Sequence, residues 1–218
     1  YGNEGATGVE LLDGEVIDAK IVVSALDPRQ TFRKMIDPSD LPADLIASID
    51  AYQFRGTAAK VNFALAGLPK FPGLDDSEKI FDGFTNIGPS INYLEEAVAD
   101  SQAGRFSRRP FIDCCIQSLI DPDMSPPGKH VMSCFVMYCP SQLSDSDWEA
   151  ERIPLGDTVQ ETLDEFFPGF SELVIHREVV TPKDLQSRTG LRQGDIFAGQ
   201  LFSNQLFTHR PAPGWNQY

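Results

Sequence analysis

The chain has 218 residues, with 18 Lys or Arg against 32 Asp or Glu, a formal charge of −14 at pH 7. That balance excludes a nucleic-acid binder, since phosphates call for a basic surface, and disfavours adhesion to anionic membranes. Hydrophobic residues make up 41% and charged residues 23%, a globular composition able to fill a sizeable core, and no apolar run nears the ~20 residues of a membrane span.

The first residues, Tyr1 to Gly5, have neither the basic nor the apolar stretch of a secretory leader. With no Met at position 1, the expectation is an excised piece or a processed product. Gly8 to Leu12 and Glu15 to Ala19, joined at Asp13-Gly14, predict a β-hairpin. Lys20 to Ala25 reads as a short buried strand. Asp27 suits a helix cap with Pro28 at the first position, the helix running to about Ile36. Asp40 to Tyr52 predicts a second helix, with Leu41, Leu45 and Ile49 at helical spacing.

Thr57 to Ala66 predicts a strand whose side chains alternate between two faces. Val61, Phe63 and Leu65 share one face; Lys60, Asn62 and Ala64 share the other. A lysine there is either solvated or looks into a cavity. Leu68 to Ser90 is Gly- and Pro-rich loop, and Pro89 starts a helix ending near Gly104. Phe111 to Ile120 and His130 to Cys139 are long apolar runs, which predict central strands covered on both faces. Ser144 to Phe167 contains a helix with Val159, Leu163 and Phe166 on one side. Glu172 to Val180 is a strand, Thr181-Pro182 opens a short helix, and Phe197 to Phe207 is apolar and irregular. Without regular strand–helix alternation, this order predicts an α+β fold: a mixed, largely antiparallel sheet with helices packed on it.

Several chemistries are disfavoured. His130, His176 and His209 lie far apart with no ligand at short spacing, which argues against a metal site. The chain contains no Gly-x-Ser-x-Gly, no phosphate-binding Gly-x-x-x-x-Gly-Lys-Ser/Thr and no Gly-x-Gly-x-x-Gly. Cys114, Cys115, Cys134 and Cys139 sit in apolar strand-like segments and read as reduced thiols, hence a reducing compartment. The paired acids Glu95-Glu96 and Asp75-Asp76 read as solvated surface. The basic run Arg105 to Arg109 reads as a loop beside a strand, with anion binding as the alternative. The residues alone therefore define a globular α+β chain with one notable lysine.

Four segments, in order, resemble the phytoene-desaturase-like flavoprotein oxidoreductases of the flavin amine-oxidase superfamily. They are Gly8 to Gly14 followed by Ala19 to Pro28, Phe54 to Leu65, Gly194 to Gly199, and Gln205 to Pro211. The family commonly has a histidine where this chain has Ala198. The resemblance implies an organisation of 1–27 as a hairpin and strand leading out of an FAD-binding domain, 28–210 as the substrate-binding domain, and 211–218 as the return. It implies hydride transfer from an organic, apolar substrate to flavin N5. Lys60 would be the catalytic contact; Ser24, Ala25 and Lys60 would touch the cofactor; Asn62 and Gln205 would touch substrate. The partners expected are a small organic molecule and the FAD-binding domain, with self-association through an exposed domain face. The family's FAD-phosphate turn precedes this region and a Gly-rich segment follows it, so this chain alone is expected to be inactive and to carry no stoichiometric FAD. A cytoplasmic or organelle-matrix location is expected. The alternative is a non-catalytic interaction module that keeps the fold without a cofactor.

Overall fold

The computed structural model describes residues 5–74 and 78–215; the acidic pair Asp75-Asp76 and the last three residues of the 211–218 segment lie outside them. The chain divides into two compact units, one of residues up to Tyr52 together with those from Leu206 on, the other Gln53–Gln205.

In the first unit, β1 (Gly8–Glu10) and β2 (Val16–Asp18) pair antiparallel, with Val9 opposite Ile17. Gly14 at φ 89° makes the turn, and Asp13 Oδ1 accepts from the Glu15 amide at 3.1 Å. The strand expected at 20–25 does not form: this stretch pairs with no other strand among the described residues, and Ile21 is 80% and Val23 87% exposed. Strand conformation needs a partner for its row of N–H and C=O groups, which apolar sequence alone does not supply. Asp27 does cap α1 (Pro28–Gln30), accepting from the Gln30 amide at 3.0 Å, and a wider turn continues the helix over Thr31–Met35. α2 (Ala43–Ala51) buries Leu45 and Ile49 in a small cluster with Leu41 and Ala212, against which Phe32 and Trp215 pack.

The second unit is α+β. Its strands are β3 (Ala58–Leu65), β4 (Thr85–Ile87), β5 (Phe111–Ile116), β6 (His130–Met137) and β7 (Val174–Val180), and each adjacent pair in the order β4-β5-β6-β3-β7 is antiparallel. Its helices are α3 (Ile91–Gln102), α4 (Gln117–Ile120), α5 (Arg152–Phe166), α6 (Phe170–Leu173) and α7 (Pro182–Thr189). Ser90 caps α3, and Thr181 with Asp184 forms a reciprocal capping box on α7.

One sheet face holds the core. Val61, Phe63 and Leu65 from β3, Ile112 and Cys114 from β5, and Met132, Cys134 and Val136 from β6 pack against Leu155, Val159 and Leu163 of α5. Phe63 meets Phe170 edge-on, ring centroids 5.1 Å apart. Burying each such side chain stabilises the fold by ~1.5–3 kcal/mol. The expectation that 111–120 and 130–139 are covered on both faces is corrected. β5 alternates between half-buried and buried residues, and its strand ends at Ile116, where α4 begins. β6 is likewise half-open at Phe135 and Met137. Helix α5 packs on the core face, so the apolar runs reflect a packed face plus a second face of mixed character. The short β4 lay within the predicted loop, and α5 lies within the 144–167 segment expected to contain a helix.

Candidate functional site

The face of the sheet opposite the core carries the notable chemistry. Antiparallel pairing aligns its side chains in rows. One row runs Asn86, Asp113, Phe135, Lys60, Val180 across β4, β5, β6, β3 and β7. The next runs Cys115, Ser133, Asn62, Glu178. Neighbouring strands lie about 4.8 Å apart, so Lys60 and Asp113 stand about 10 Å apart at the backbone with Phe135 between them.

Lys60 is half-buried and makes no hydrogen bond or ion pair among the described residues. Its positive charge acts on Cys115, holding that thiol down, while burial, Cys114 and Asp113 push it up, with burial the largest influence. Burial also raises the Asp113 carboxyl above its ordinary value, against a lowering hydrogen bond from Asn86. Asp113 Oδ1 is shut off from solvent and has no hydrogen-bond partner among the described residues.

Asn62 is fixed at both ends. Its Oδ1 accepts from Ser133 Oγ at 3.0 Å, and its Nδ2 donates to Glu178 Oε2 at 3.3 Å. Arg188 of α7 donates to Glu178 Oε1 at 3.1 Å, which with Asn62 holds that carboxyl below the usual range. The chain of bonds leaves Asn62 one further N–H.

Gln205 is buried, and its amide serves the backbone: Oε1 accepts from the Gln53 amide at 2.7 Å, and Nε2 donates to the carbonyls of Gln53 at 3.2 Å and Gln200 at 3.0 Å. Ser24 and Ala25 belong to the first unit, where Ser24 Oγ shares a hydrogen bond with Thr31 Oγ1 at 2.7 Å. Lys60 and Asn62 thus share one face. Sequence reading missed Asp113, Cys115, Ser133 and Phe135; the available signal was a carboxylate in the middle of the apolar run Phe111-Ile112-Asp113-Cys114-Cys115.

A cavity of about 500 Å³ opens where β3 begins, lined by Arg55, Gly56, Thr57, Tyr138, Ser141 and Phe202. Another of about 500 Å³ is lined by Arg105, Phe106 and Arg108 with Asp145, Glu151 and Glu161. The basic run is largely neutralised: Arg105 pairs with Asp100 at 3.0 Å and Arg109 with Glu165 at 2.7 Å. Glu95 and Glu96 are exposed, as expected. All four cysteines are free thiols, with Cys139 pushed up to about 12 by burial. Among the described residues, no group of three or more His, Cys, Asp or Glu could hold a metal ion, and no helix is long and apolar enough to cross a membrane.

An α+β unit that presents a lysine from an antiparallel sheet has homologues named as oxidoreductases. Over 98% of its length the chain is 32% identical to pyridine nucleotide-disulfide oxidoreductase domain-containing protein 2 of Mus musculus. It is 24% identical, over 94% of its length, to a lycopene-forming phytoene desaturase of Paracoccus, covering 39% of that protein. The chain spans 38% of the mouse protein. Among solved structures, an oxidoreductase from Methanosarcina mazei aligns with 82% of this chain and 34% of its own, at TM-score 0.47 and 20% identity. No protein-family model matches the chain.

Proposed function

We propose that this chain is the substrate-binding part of an FAD-dependent oxidoreductase that takes hydride from an organic substrate. The observation that carries the reading is Lys60, a half-buried lysine on the open face of β3 that makes no hydrogen bond or ion pair among the described residues. When bound, FAD supplies a two-electron acceptor at N5. The fit with this chain is partial. The Lys60 face offers a cation and hydrogen-bonding groups suited to the flavin ring, whereas the sequence holds no Gly-x-Gly-x-x-Gly turn for the phosphates. In this reading the phosphates are held by a cofactor-binding part of the longer protein, and the 218-residue chain alone is inactive.

Lys60 holds positive charge, directly or through a water, beside the position where negative charge develops. Asn62, oriented by Ser133 and Glu178, presents its remaining N–H to the substrate. Gln205 ties the backbone at Gln53 to that at Gln200 and so shapes the wall around the site. Ser24 and Ala25 are kept as cofactor contacts. The exposure of Ile21 and Val23 supports a covering partner for that stretch, here the cofactor-binding part.

The test is Lys60→Met in the full-length protein that contains this chain. A lost electrostatic contact of this kind costs about 10²- to 10³-fold in rate. Flavin reduction or reoxidation should slow by that factor with FAD still bound, measured by rapid mixing under anaerobic conditions. Unchanged rates of both half-reactions would make Lys60 a solvated strand residue instead, and a full-length protein without flavin absorbance would favour the non-catalytic interaction module.

A further inference from the structure

None of the residues read as touching flavin or substrate lines the cavity where β3 begins. That cavity holds about 500 Å³ and opens to solvent, within the roughly 300–1,000 Å³ of small-molecule pockets. Backbone amides tie its walls together. The Arg55 amide donates to buried Asp195 Oδ2 at 3.2 Å, the Cys139 amide to the Thr57 carbonyl at 2.7 Å, and the Gln200 amide to the Gln53 carbonyl at 2.9 Å. Walls fixed in this way are formed before a ligand arrives, which lowers the cost of binding. Arg55 is the one charged residue of the lining among the described residues. In the same unit Arg105, Arg109, Arg152, Arg177 and Arg188 are each ion-paired with a carboxylate. Arg55 makes no ion pair among the described residues; it is exposed, and its guanidinium lies over the Phe202 ring, 5.5 Å from the centroid. That contact positions the group without using its N–H donors. Thr57, Tyr138 and Ser141 add hydroxyls and Gln200 an amide, each half-buried and none bonded through its side chain among the described residues. Phe202 and Val98 add apolar wall. Donors gathered around one unmatched cation fit an anion, and the apolar wall fits its organic body.

We propose that this cavity binds a small organic carboxylate, with Arg55 forking onto the carboxylate oxygens and the body of the ligand lying against Phe202 and Val98. The planar guanidinium matches a carboxylate through two parallel N–H bonds. A phosphate monoester brings close to two negative charges at neutral pH, and a single arginine would leave the second unmatched in a chain of net charge −14. The site stands whether or not Lys60 meets a flavin.

The probes are 3-phenylpropanoate, its neutral isostere 3-phenylpropanamide, and phenyl phosphate. Each is titrated at pH 7 into the ¹⁵N-labelled 218-residue chain in salt near physiological strength, which screens the distant acidic surface, and followed by amide chemical shifts. The carboxylate should perturb Arg55, Thr57, Tyr138 and Ser141 and bind about tenfold more tightly than the amide, as expected for a charge-assisted pair. Phenyl phosphate should bind no more tightly than the carboxylate. Arg55→Gln should bring the carboxylate down to the affinity of the amide, and Arg55→Lys, which keeps the charge without the fork, should fall between. Arg108→Gln removes the same charge from an exposed residue of the other cavity and should leave the preference unchanged. Three results would overturn the inference: no perturbation of these residues by the carboxylate, equal affinity for carboxylate and amide in the unaltered chain, or a preference that survives Arg55→Gln at an unchanged melting temperature. Tighter binding of phenyl phosphate would overturn the assignment to a carboxylate. The comparison of probes in the unaltered chain needs no variant, so it decides the matter even where Arg55→Gln fails to fold.

Discussion

Gly56 opens the strand that carries Lys60, and its backbone runs against the main chain of Gln193. A Cβ built at Gly56 would lie 1.8 Å from the Gln193 carbonyl oxygen, 2.9 Å from the carbonyl carbon and 3.2 Å from Ser141 Cβ. Since real Cβ atoms keep at least 3.0 Å from such atoms, Gly56→Ala must part the two backbones by about 1.2 Å. Little can yield. Gln193 already sits at φ 57°, the Arg55 amide donates to Asp195 Oδ2 at 3.2 Å, and Arg192 covers the Phe54 ring at 5.8 Å. Overpacking against fixed backbone costs ~2–3 kcal/mol. For a chain of this size that lowers the melting temperature by about 4–12 °C. Urea unfolding followed by circular dichroism should show a lower midpoint with the slope unchanged. Gly83→Ala is the control, because no atom lies within 4 Å of a Cβ there. If Gly56→Ala stayed within ~0.5 kcal/mol of the unaltered chain, the close approach of the two backbones would be refuted.

Phe63→Ala should destabilise the chain by about 3–5 kcal/mol, since the ring is 1% exposed and its neighbours form a packed core; a loss under ~1 kcal/mol in the same melts would contradict that core. Arg152 donates to Asp184 at 2.5 and 3.0 Å, and together with the cap bonds from Thr181 holds the Asp184 carboxyl well below its usual range. A depressed folded-state value stabilises above the unfolded one, about 3.9, so this contribution is full at neutral pH and is lost as pH falls from about 5. Asp184→Asn should therefore cost ~2–3 kcal/mol at pH 7, its side chain being 15% exposed, and should flatten the acid side of the stability profile; parallel profiles for the two proteins would refute the linkage. In the folded chain a thiol reagent should label Cys115 first, and slowly, because burial raises that thiol, while Cys114, Cys134 and Cys139 should react only after unfolding. Peptide mass analysis showing Cys139 labelled at the Cys115 rate would count against the fold.

Local sequence determined the elements whose causes are local. The two-residue alternation around Lys60, the Asp13-Gly14 turn, and the Asp27-Pro28 and Thr181-Pro182 caps each specify their conformation within a few residues, and the structure has them where they were expected. The assignment of Val61, Phe63 and Leu65 to the core face and of Lys60 and Asn62 to the other follows from the same period. Tertiary structure decided what depends on partners. Lys20 to Ala25 has strand-forming residues, yet a strand exists only where another backbone takes up its hydrogen bonds. In β5, hydrophobicity alone gave no sign that its second face lies open, because half-buried Phe111 and Cys115 read the same as buried Ile112 and Cys114. Above all, register across β5, β6 and β3 set Asp113, Phe135 and Lys60 in one row. Strand pairing is a long-range choice, fixed when the apolar faces of all the strands are buried together, and so no single segment encodes it.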